Sequence, residues 1–243
     1  MENKERILLA LRAELEPLGY RYFKSTGKFS RKVDKNTIIS IVYIPECFRH
    51  GFTDVILLAR GEYRDIEEVL YKLTNVSVAT TRRHFGISCQ LFSILQMDLH
   101  EYNADFCFWD GDSEDEYNRK LNKILERIKT HLLPYVEALS YKDSALEKAI
   151  DLEKRSLLFY EYVIPIMYCV WKHDKKAALD YLEERRQQKL SWIKPEEWER
   201  MERMKKGEKF MQDERPINAL AYERYIEGAK KVREWIESQE YDD

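Results

Sequence analysis

Acidic side chains concentrate between residues 105 and 116, and they are the first candidates for chemistry in this sequence. Hard cations prefer several oxygen ligands that converge from a short loop, but the spacing does not match a calcium-binding EF-hand loop. Acidic side chains are also stabilised at a helix N-terminus by the helix dipole. Because Ser113 and Glu116 have the spacing of a capping box, we interpret the cluster as a helix start and predict no metal site. Its members are Asp105, Asp110, Asp112, Glu114, Asp115 and Glu116.

Cysteine and histidine side chains could supply soft metal ligands or a nucleophile. A zinc site usually contains two close pairs of such residues, and a single close pair is found here. A catalytic thiolate needs a neighbouring base, and no local motif provides one. We therefore interpret the cysteines as buried thiols of a reducing compartment. The pair is Cys47 and His50, and the remaining candidates are His84, Cys89, His100, Cys107 and Cys169.

The common motifs of cofactor and hydrolase sites are missing from the sequence. It contains no glycine-rich phosphate loop, no G-x-S-x-G elbow and no H-E-x-x-H helix. We therefore expect no cofactor. An enzyme would have to assemble its site from residues that are distant in sequence.

Basic and aromatic residues alternate between residues 20 and 35. Proteins that bind single-stranded nucleic acid combine stacking rings with cations that hold phosphates. An amphipathic strand pair produces the same alternation when its rings point inward and its cations point into water. We therefore keep nucleic-acid binding as an alternative. The possible binding surface consists of Arg21, Lys24, Lys28, Arg31 and Lys32, and the interleaved rings are Tyr20, Tyr22, Phe23 and Phe29.

Two charged residues lie in apolar segments and are expected to be partly buried. They are Arg60, at the end of an apolar strand, and Glu161, inside an apolar run. Buried charges need partners, and we expect these pairs to be structural.

The segment from Gly19 to Tyr63 is predicted to form the sheet that positions the basic side chains. Period-two alternation, β-branched residues and turn signals agree along it. Gly27 and the run Asp34-Lys35-Asn36 are the predicted turns. Apolar residues at helical spacing predict a helix before this sheet, over residues 7–18, and another after it, over residues 65–73. The predicted strands cover residues 20–24, 28–33, 37–44 and 53–63.

The remainder of the chain is predicted to be mostly helical. Residues 87–95 fit either an extended segment or a short helix, and residues 105–109 favour a strand. A long helix is predicted after Ser113, with a kink or boundary at Pro134. Further helices are predicted over residues 145–152, over residues 157–171 with a bend or break near Pro165, over residues 177–190, and after Pro195 and Pro216.

Composition indicates a globular α+β protein. The 243 residues are 44% apolar and 35% charged, with few glycines and prolines, which argues against a long disordered linker. A net charge of −3 provides no general attraction to nucleic acid or anionic membranes. We predict an N-terminal antiparallel sheet with flanking helices over residues 1–110, and a helical region packed closely on it over residues 111–243. Because no signal peptide or membrane span is recognisable, we expect a cytoplasmic protein.

The first quarter of the chain resembles a bacterial domain family of unknown function. The resemblance rests on the opening helix, on the segment from Leu15 to Tyr20, and on the hairpin that contains Phe29-Ser30-Arg31. Members of that family begin with a helix, a Leu-x-x-x-Gly-Phe/Tyr turn and a Phe-x-Arg strand. The resemblance implies an α+β fold, no established activity, and an antitoxin-like or immunity-like binding role.

The preferred prediction is a non-enzymatic binding protein that recognises a protein partner and has an immunity-like role. The first alternative is a nucleic-acid-binding module that uses the basic and aromatic sheet face. The second alternative is an enzyme with a dispersed site.

Overall fold

The computed structural model describes residues 2–48, 51–74, 87–154 and 162–241. Its backbone contacts group the chain into two compact units. Unit 1 contains Met1–Arg64 and Gly86–Lys148, and unit 2 contains Asp65–Phe85 and Ala149–Asp243. No helix among the described residues is both long enough and apolar enough to cross a membrane.

Unit 1 contains an antiparallel sheet with the strand order β1-β2-β3-β4-β5, and β6 pairs with the first residues of β4. The two long central strands pair along their whole length. The strands are β1 (Arg21–Phe23), β2 (Lys28–Lys32), β3 (Thr37–Phe48), β4 (Phe52–Tyr63), β5 (Ile87–Gln90) and β6 (Cys107–Trp109).

One face of the sheet, here called the inner face, forms the core of unit 1. Burial alternates residue by residue along β4 because successive side chains of a strand point to opposite faces. Phe29, Ile39, Ile41 and Leu57 lie on the inner face and are buried. The opposite side of the same strands is here called the outer face.

Two turns have the residues that their geometry requires. Gly27 has φ of +63°, and a Cβ there would lie 2.7 Å from the carbonyl oxygen of Tyr43. Both observations explain why glycine occupies this hairpin. In the next turn, the carboxylate of Asp34 accepts hydrogen bonds from the backbone N–H groups of Asn36 (2.7 Å) and Thr37 (2.8 Å). Both predicted turns are confirmed.

The helices of unit 1 pack on the inner face. Helix α1 (Asn3–Leu15) buries Ile7, Leu11 and Leu15, and the inner-face residue Tyr43 donates a hydrogen bond to the carbonyl oxygen of Lys4 (3.0 Å). On the same face, Tyr63 donates to the carbonyl oxygen of Leu139 (2.8 Å). The sheet is therefore tied to both the first and the later helices of this unit.

The later helices of unit 1 follow β5 and β6. Ser113 caps α5 by accepting a hydrogen bond from the backbone N–H of Glu116 (3.2 Å). A π-helical turn, Ile128–Leu132, joins α5 to α6, and Pro134 lies in the first turn of α6, so the predicted boundary at this proline is confirmed. The helices are α3 (Leu91–Leu95), α4 (Leu99–Phe106), α5 (Glu114–Arg127) and α6 (Leu133–Ala138). In the numbering used here α2 (Arg64–Thr74) precedes them, and α7 (Lys142–Lys154) follows them and reaches into unit 2.

The strand prediction for residues 105–109 is partly wrong. Asp98 caps α4 by accepting a hydrogen bond from the backbone N–H of Glu101 (2.8 Å), and the helix continues to Phe106. Strand pairing begins at Cys107, where the backbone meets Asp54 of β4. Residues 87–95, which fit either an extended segment or a short helix, contain both: β5 is followed by α3.

Unit 2 is helical in its described part. Its core is formed by α8 (Val163–Lys172), α9 (Lys175–Ser191) and α11 (Ile217–Glu237), with buried residues that include Met167, Leu182 and Tyr225. The described helix α8 begins at Val163, so Pro165 lies in its first turn, where proline is tolerated. The predicted residues 157–161 lie outside the described residues. The helices are α8 (Val163–Lys172), α9 (Lys175–Ser191), α10 (Pro195–Lys205) and α11 (Ile217–Glu237).

The α+β fold class is confirmed, with antiparallel strands in the N-terminal half and helices in the C-terminal half. The grouping into units differs from the predicted division at residue 110. Helix α5 belongs to unit 1, because Tyr117 packs edge-on against Phe108 of β6 at 5.2 Å between ring centroids. Helix α2 belongs to unit 2, where Trp171 donates a hydrogen bond to Asp65 (3.0 Å).

Candidate functional site

The candidate site is the outer face of the sheet in unit 1, because three of the five predicted binding residues lie there. In an antiparallel pair, directly opposed residues share a face. Phe23 opposes Lys28, and Arg21 opposes Ser30, so these side chains lie together on the outer face. Lys32 lies on the same face opposite Ile38. Lys24 is exposed in the turn between β1 and β2.

Most of the predicted aromatic residues lie on the other side of the sheet. Tyr22 and Phe29 oppose each other on the inner face, with ring centroids 4.8 Å apart, and Phe29 is fully buried. Tyr20 is also buried. Of the four interleaved rings, Phe23 is the one beside the outer cations, 43% exposed and 5.8 Å from the Arg21 guanidinium. The structure therefore arranges this hairpin as an amphipathic strand pair.

Arg31 differs from the other predicted cations because it lies on the inner face. It forms an ion pair with Glu137 of α6, and Tyr20 donates a hydrogen bond to the same carboxylate (2.8 Å). The Arg31 guanidinium also lies 5.2 Å from the centroid of the Tyr20 ring. Burial, together with the hydrogen bond to Glu137, raises the pKa of Tyr20. Arg31 is thus a structural residue that joins β2 to α6.

Two outer-face cations, Lys28 and Arg60, contact one carboxylate, Glu62 of β4. The same Oε1 oxygen lies 2.7 Å from Lys28 Nζ and 3.0 Å from Arg60 Nε. The side chains of Lys28, Arg60 and Glu62 are 23%, 15% and 17% exposed. Arg60 is therefore partly buried and paired, as predicted, whereas Glu161 lies outside the described residues. Two cations therefore share one carboxylate oxygen.

The outer face carries both polar and apolar side chains. The hydroxyl oxygens of Ser30 and Ser40 are 2.9 Å apart, one row from Lys28 and Val42. Towards the hairpin end, Ile44 opposes Ile56 and is 39% exposed. This face therefore combines exposed apolar side chains with charges that are already paired.

The acidic cluster is used for capping and for ion pairs. Asp112 pairs with the buried Lys120 (2.8 Å), and Asp105 pairs with Lys123 (2.9 Å) and Arg127 (2.6 Å). Glu116 pairs with Arg119, so the reciprocal half of the predicted capping box is not formed in the described structure. Among the described residues, no three His, Cys, Asp or Glu side chains are placed so that they could hold a metal ion.

Cys89, Cys107 and Cys169 are buried thiols that form no disulfide, as predicted. Burial raises the pKa of Cys107 to about 11, and the nearby Asp54 carboxylate adds to the shift. Burial also raises the pKa of Cys169. Both thiols are protonated at neutral pH, which disfavours a role as a nucleophile. The side chain of Cys47, and the residues His50 and His84, lie outside the description.

Glu62 and Glu137 shape this site, and neither was among the residues singled out from the sequence. Glu62 could have been found from strand periodicity, because it follows Arg60 by two positions and so shares its face. Glu137 is 106 residues from Arg31 and has no local signal.

Comparisons of the chain with protein-family models, with curated proteins and with solved structures find no match. The resemblance of the first quarter to a bacterial domain family stays a prediction. The geometry of the described residues therefore carries the argument for function.

Proposed function

We propose that this chain is a non-enzymatic binding protein that recognises a protein partner through the outer face of its sheet. The observation that carries the proposal is the combination of Phe23 and Ile44, two exposed apolar side chains, with the paired charges of Lys28, Arg60 and Glu62 on one sheet face. Protein interfaces combine apolar contact with charges that complement the partner. An immunity-like role in the bacterial cytoplasm is the biological setting that the family resemblance favours.

The placement of rings and cations favours a protein partner over nucleic acid. Single-strand binding surfaces stack several bases on aromatic rings, but Tyr22 and Phe29 point to the inner face. Lys28 and Arg31 each pair with a carboxylate, which reduces the charge left for phosphates. Net attraction to a polyanion requires cations that can release counterions from it.

Affinity capture with the immobilised full chain tests this proposal. Phe23→Ser combined with Ile44→Ser removes the apolar part of the outer face. A matched control, Leu9→Ser with Leu18→Ser, removes two apolar side chains of similar exposure, 51% and 48%, from elsewhere in unit 1. We expect the wild type and the control to retain the same protein from a native cell lysate, and the outer-face variant to lose it. The purified partner must then reproduce this difference.

Two results would overturn the proposal. Equal retention of the partner by all three chains would exclude the outer face as the binding surface. Three observations together would identify nucleic acid as the ligand instead. Retention would disappear after nuclease treatment, fall steeply with salt, and be lost on charge reversal at Arg21, Lys28 and Lys32.

A further inference from the structure

Unit 2 contains a cavity of about 470 Å³ that is separate from the outer-face site. Its walls come from α9, α11, Leu73 of α2 and Tyr162, which precedes α8. Cavities that bind small molecules have volumes of roughly 300 to 1,000 Å³ and combine apolar walls with a few polar groups that converge. This cavity is therefore large enough for a metabolite-sized ligand.

The charged side chains of the cavity favour an anion. Lys189, Arg224 and Lys231 line it, and Glu227 is the one carboxylate among the described lining residues. Within the described part of the chain, no ion pair involves Arg224 or Lys231. The described lining residues thus carry two more positive than negative charges. A phosphate monoester carries about −1.5 to −2 at neutral pH, which matches this excess better than a single carboxylate does.

Two tyrosines form an aromatic wall that is fixed in place. The rings of Tyr162 and Tyr225 are stacked, with centroids 5.7 Å apart and an interplanar angle of 9°. Tyr225 donates a hydrogen bond to the carbonyl oxygen of Leu182 (2.7 Å), and Tyr162 donates to the carbonyl oxygen of Tyr225 (3.1 Å). Side chains held in this way lose little conformational entropy when a ligand binds.

Gly228 explains how Tyr162 reaches this position. A Cβ at residue 228 would collide with the Tyr162 hydroxyl, so the close approach requires glycine. Glycine inside a helix destabilises it by roughly 0.5 to 1 kcal/mol relative to alanine. Helix α11 therefore contains a residue that is unfavourable for the helix and that allows the cavity wall to form.

Lys189 contributes a cation at the aromatic wall. The residue is 8% exposed, and its Nζ lies 5.4 Å from the centroid of the Tyr225 ring. A charge in such a desolvated position interacts more strongly with an anion than a solvated surface charge does. Arg224 adds a planar group that can hold a phosphate with two parallel hydrogen bonds.

We propose that this cavity binds a small phosphate ester, with the phosphate held by Arg224, Lys231 and Lys189. The remainder of the ligand lies against Tyr162, whose ring is stacked on the buried ring of Tyr225. This site shares no described residue with the proposed protein-binding surface, because every described lining residue belongs to unit 2.

Isothermal titration calorimetry of the full chain with adenosine monophosphate and with ribose 5-phosphate tests the proposal, and adenosine serves as the ligand without phosphate. We expect at least one of the two phosphate esters to bind, and adenosine to bind at least tenfold more weakly. The variant Arg224→Gln with Lys231→Gln is expected to weaken phosphate-ester binding at least tenfold. The control Lys206→Gln with Lys230→Gln removes the same charge from exposed positions outside the cavity, and binding should change less than twofold.

Gly228→Ala provides a test that leaves the charge unchanged. Because alanine favours the helix, this variant is expected to fold, while the displaced Tyr162 should weaken phosphate-ester binding several-fold. Absence of binding by both phosphate esters would overturn the proposal. So would equal affinity for adenosine and adenosine monophosphate, or the same loss of binding in the control as in the cavity variant.

Discussion

Replacing Glu62 with glutamine is the most informative change at the outer face, because this one carboxylate serves two cations. Lys28 Nζ and Arg60 Nε both contact its Oε1 oxygen, at 2.7 and 3.0 Å. Glu62→Gln removes both attractions and keeps the size of the side chain. Lys28→Met removes one attraction and leaves Arg60 paired with Glu62. The two variants should therefore differ in stability by an amount that reports on the shared carboxylate.

The exposed fractions of the three side chains determine how much the free energy of unfolding should change. Exposed ion pairs contribute about 0 to 1 kcal/mol, whereas breaking a buried pair by removing one partner costs roughly 3 to 5 kcal/mol. With exposures of 15% to 23%, this group lies between those limits. We expect Glu62→Gln to lower the free energy of unfolding by about 1.5 to 2.5 kcal/mol, and Lys28→Met by about 0.5 to 1 kcal/mol.

Urea-induced unfolding measures these differences. Because the chain contains two compact units, hydrogen exchange at the amides of β3 and β4 is needed to assign the change to unit 1. The difference between the variants should persist at high salt, since partly buried charges are screened less than exposed ones. A loss in Lys28→Met as large as that in Glu62→Gln would refute the shared-carboxylate interpretation.

Two further predictions concern the helices and the thiols of unit 1. Asp105→Asn should lower the free energy of unfolding in urea by about 2 to 3 kcal/mol, because the 5% exposed carboxylate pairs with Lys123 and Arg127. The control Asp115→Asn changes an exposed carboxylate and should lower the free energy of unfolding by about 0.5 kcal/mol at most. Equal losses in the two variants would contradict this assignment. The pKa of Cys107 is raised to about 11 in the folded chain from a reference value of 9.0. The contribution of the protonated thiol to the free energy of unfolding is therefore complete below pH 9.0 and is lost as the pH rises towards 11. Thermal unfolding between these pH values should therefore show a steeper loss of stability for the wild type than for Cys107→Ala, and parallel curves would contradict the assignment.

The outer face and the cavity depend on different structural features of the chain. The outer face depends on strand pairing, because register decides that Phe23 and Lys28 are neighbours. The cavity depends on helix packing, because Tyr162 reaches its position only where Gly228 leaves space. The two proposed sites can therefore be disrupted separately by substitutions in different units.

Local patterns in the sequence were sufficient for most of the secondary structure. Period-two alternation predicted the strands, and residues such as Gly27 and Asp34 predicted the turns, since these signals depend on neighbours a few positions away. Helix starts at Ser113 and Pro195 were predictable for the same reason. The amphipathic interpretation of the basic hairpin also followed from alternation, because opposite faces of a strand are set by its geometry.

Contacts between distant residues could be decided only by the tertiary structure. Alternation predicted that the cations of this hairpin point into water, whereas Arg31 lies on the inner face and pairs with Glu137, and Lys28 pairs with Glu62. The cavity likewise joins side chains from segments that are far apart in sequence, and no local period connects Tyr162 with Arg224. A sequence pattern indicates whether a residue prefers a buried or an exposed environment. Which other residue becomes its partner is decided when the whole chain packs. The sequence alone therefore determined the elements and the amphipathic sheet, and the tertiary structure decided which charges are paired and where a ligand can bind.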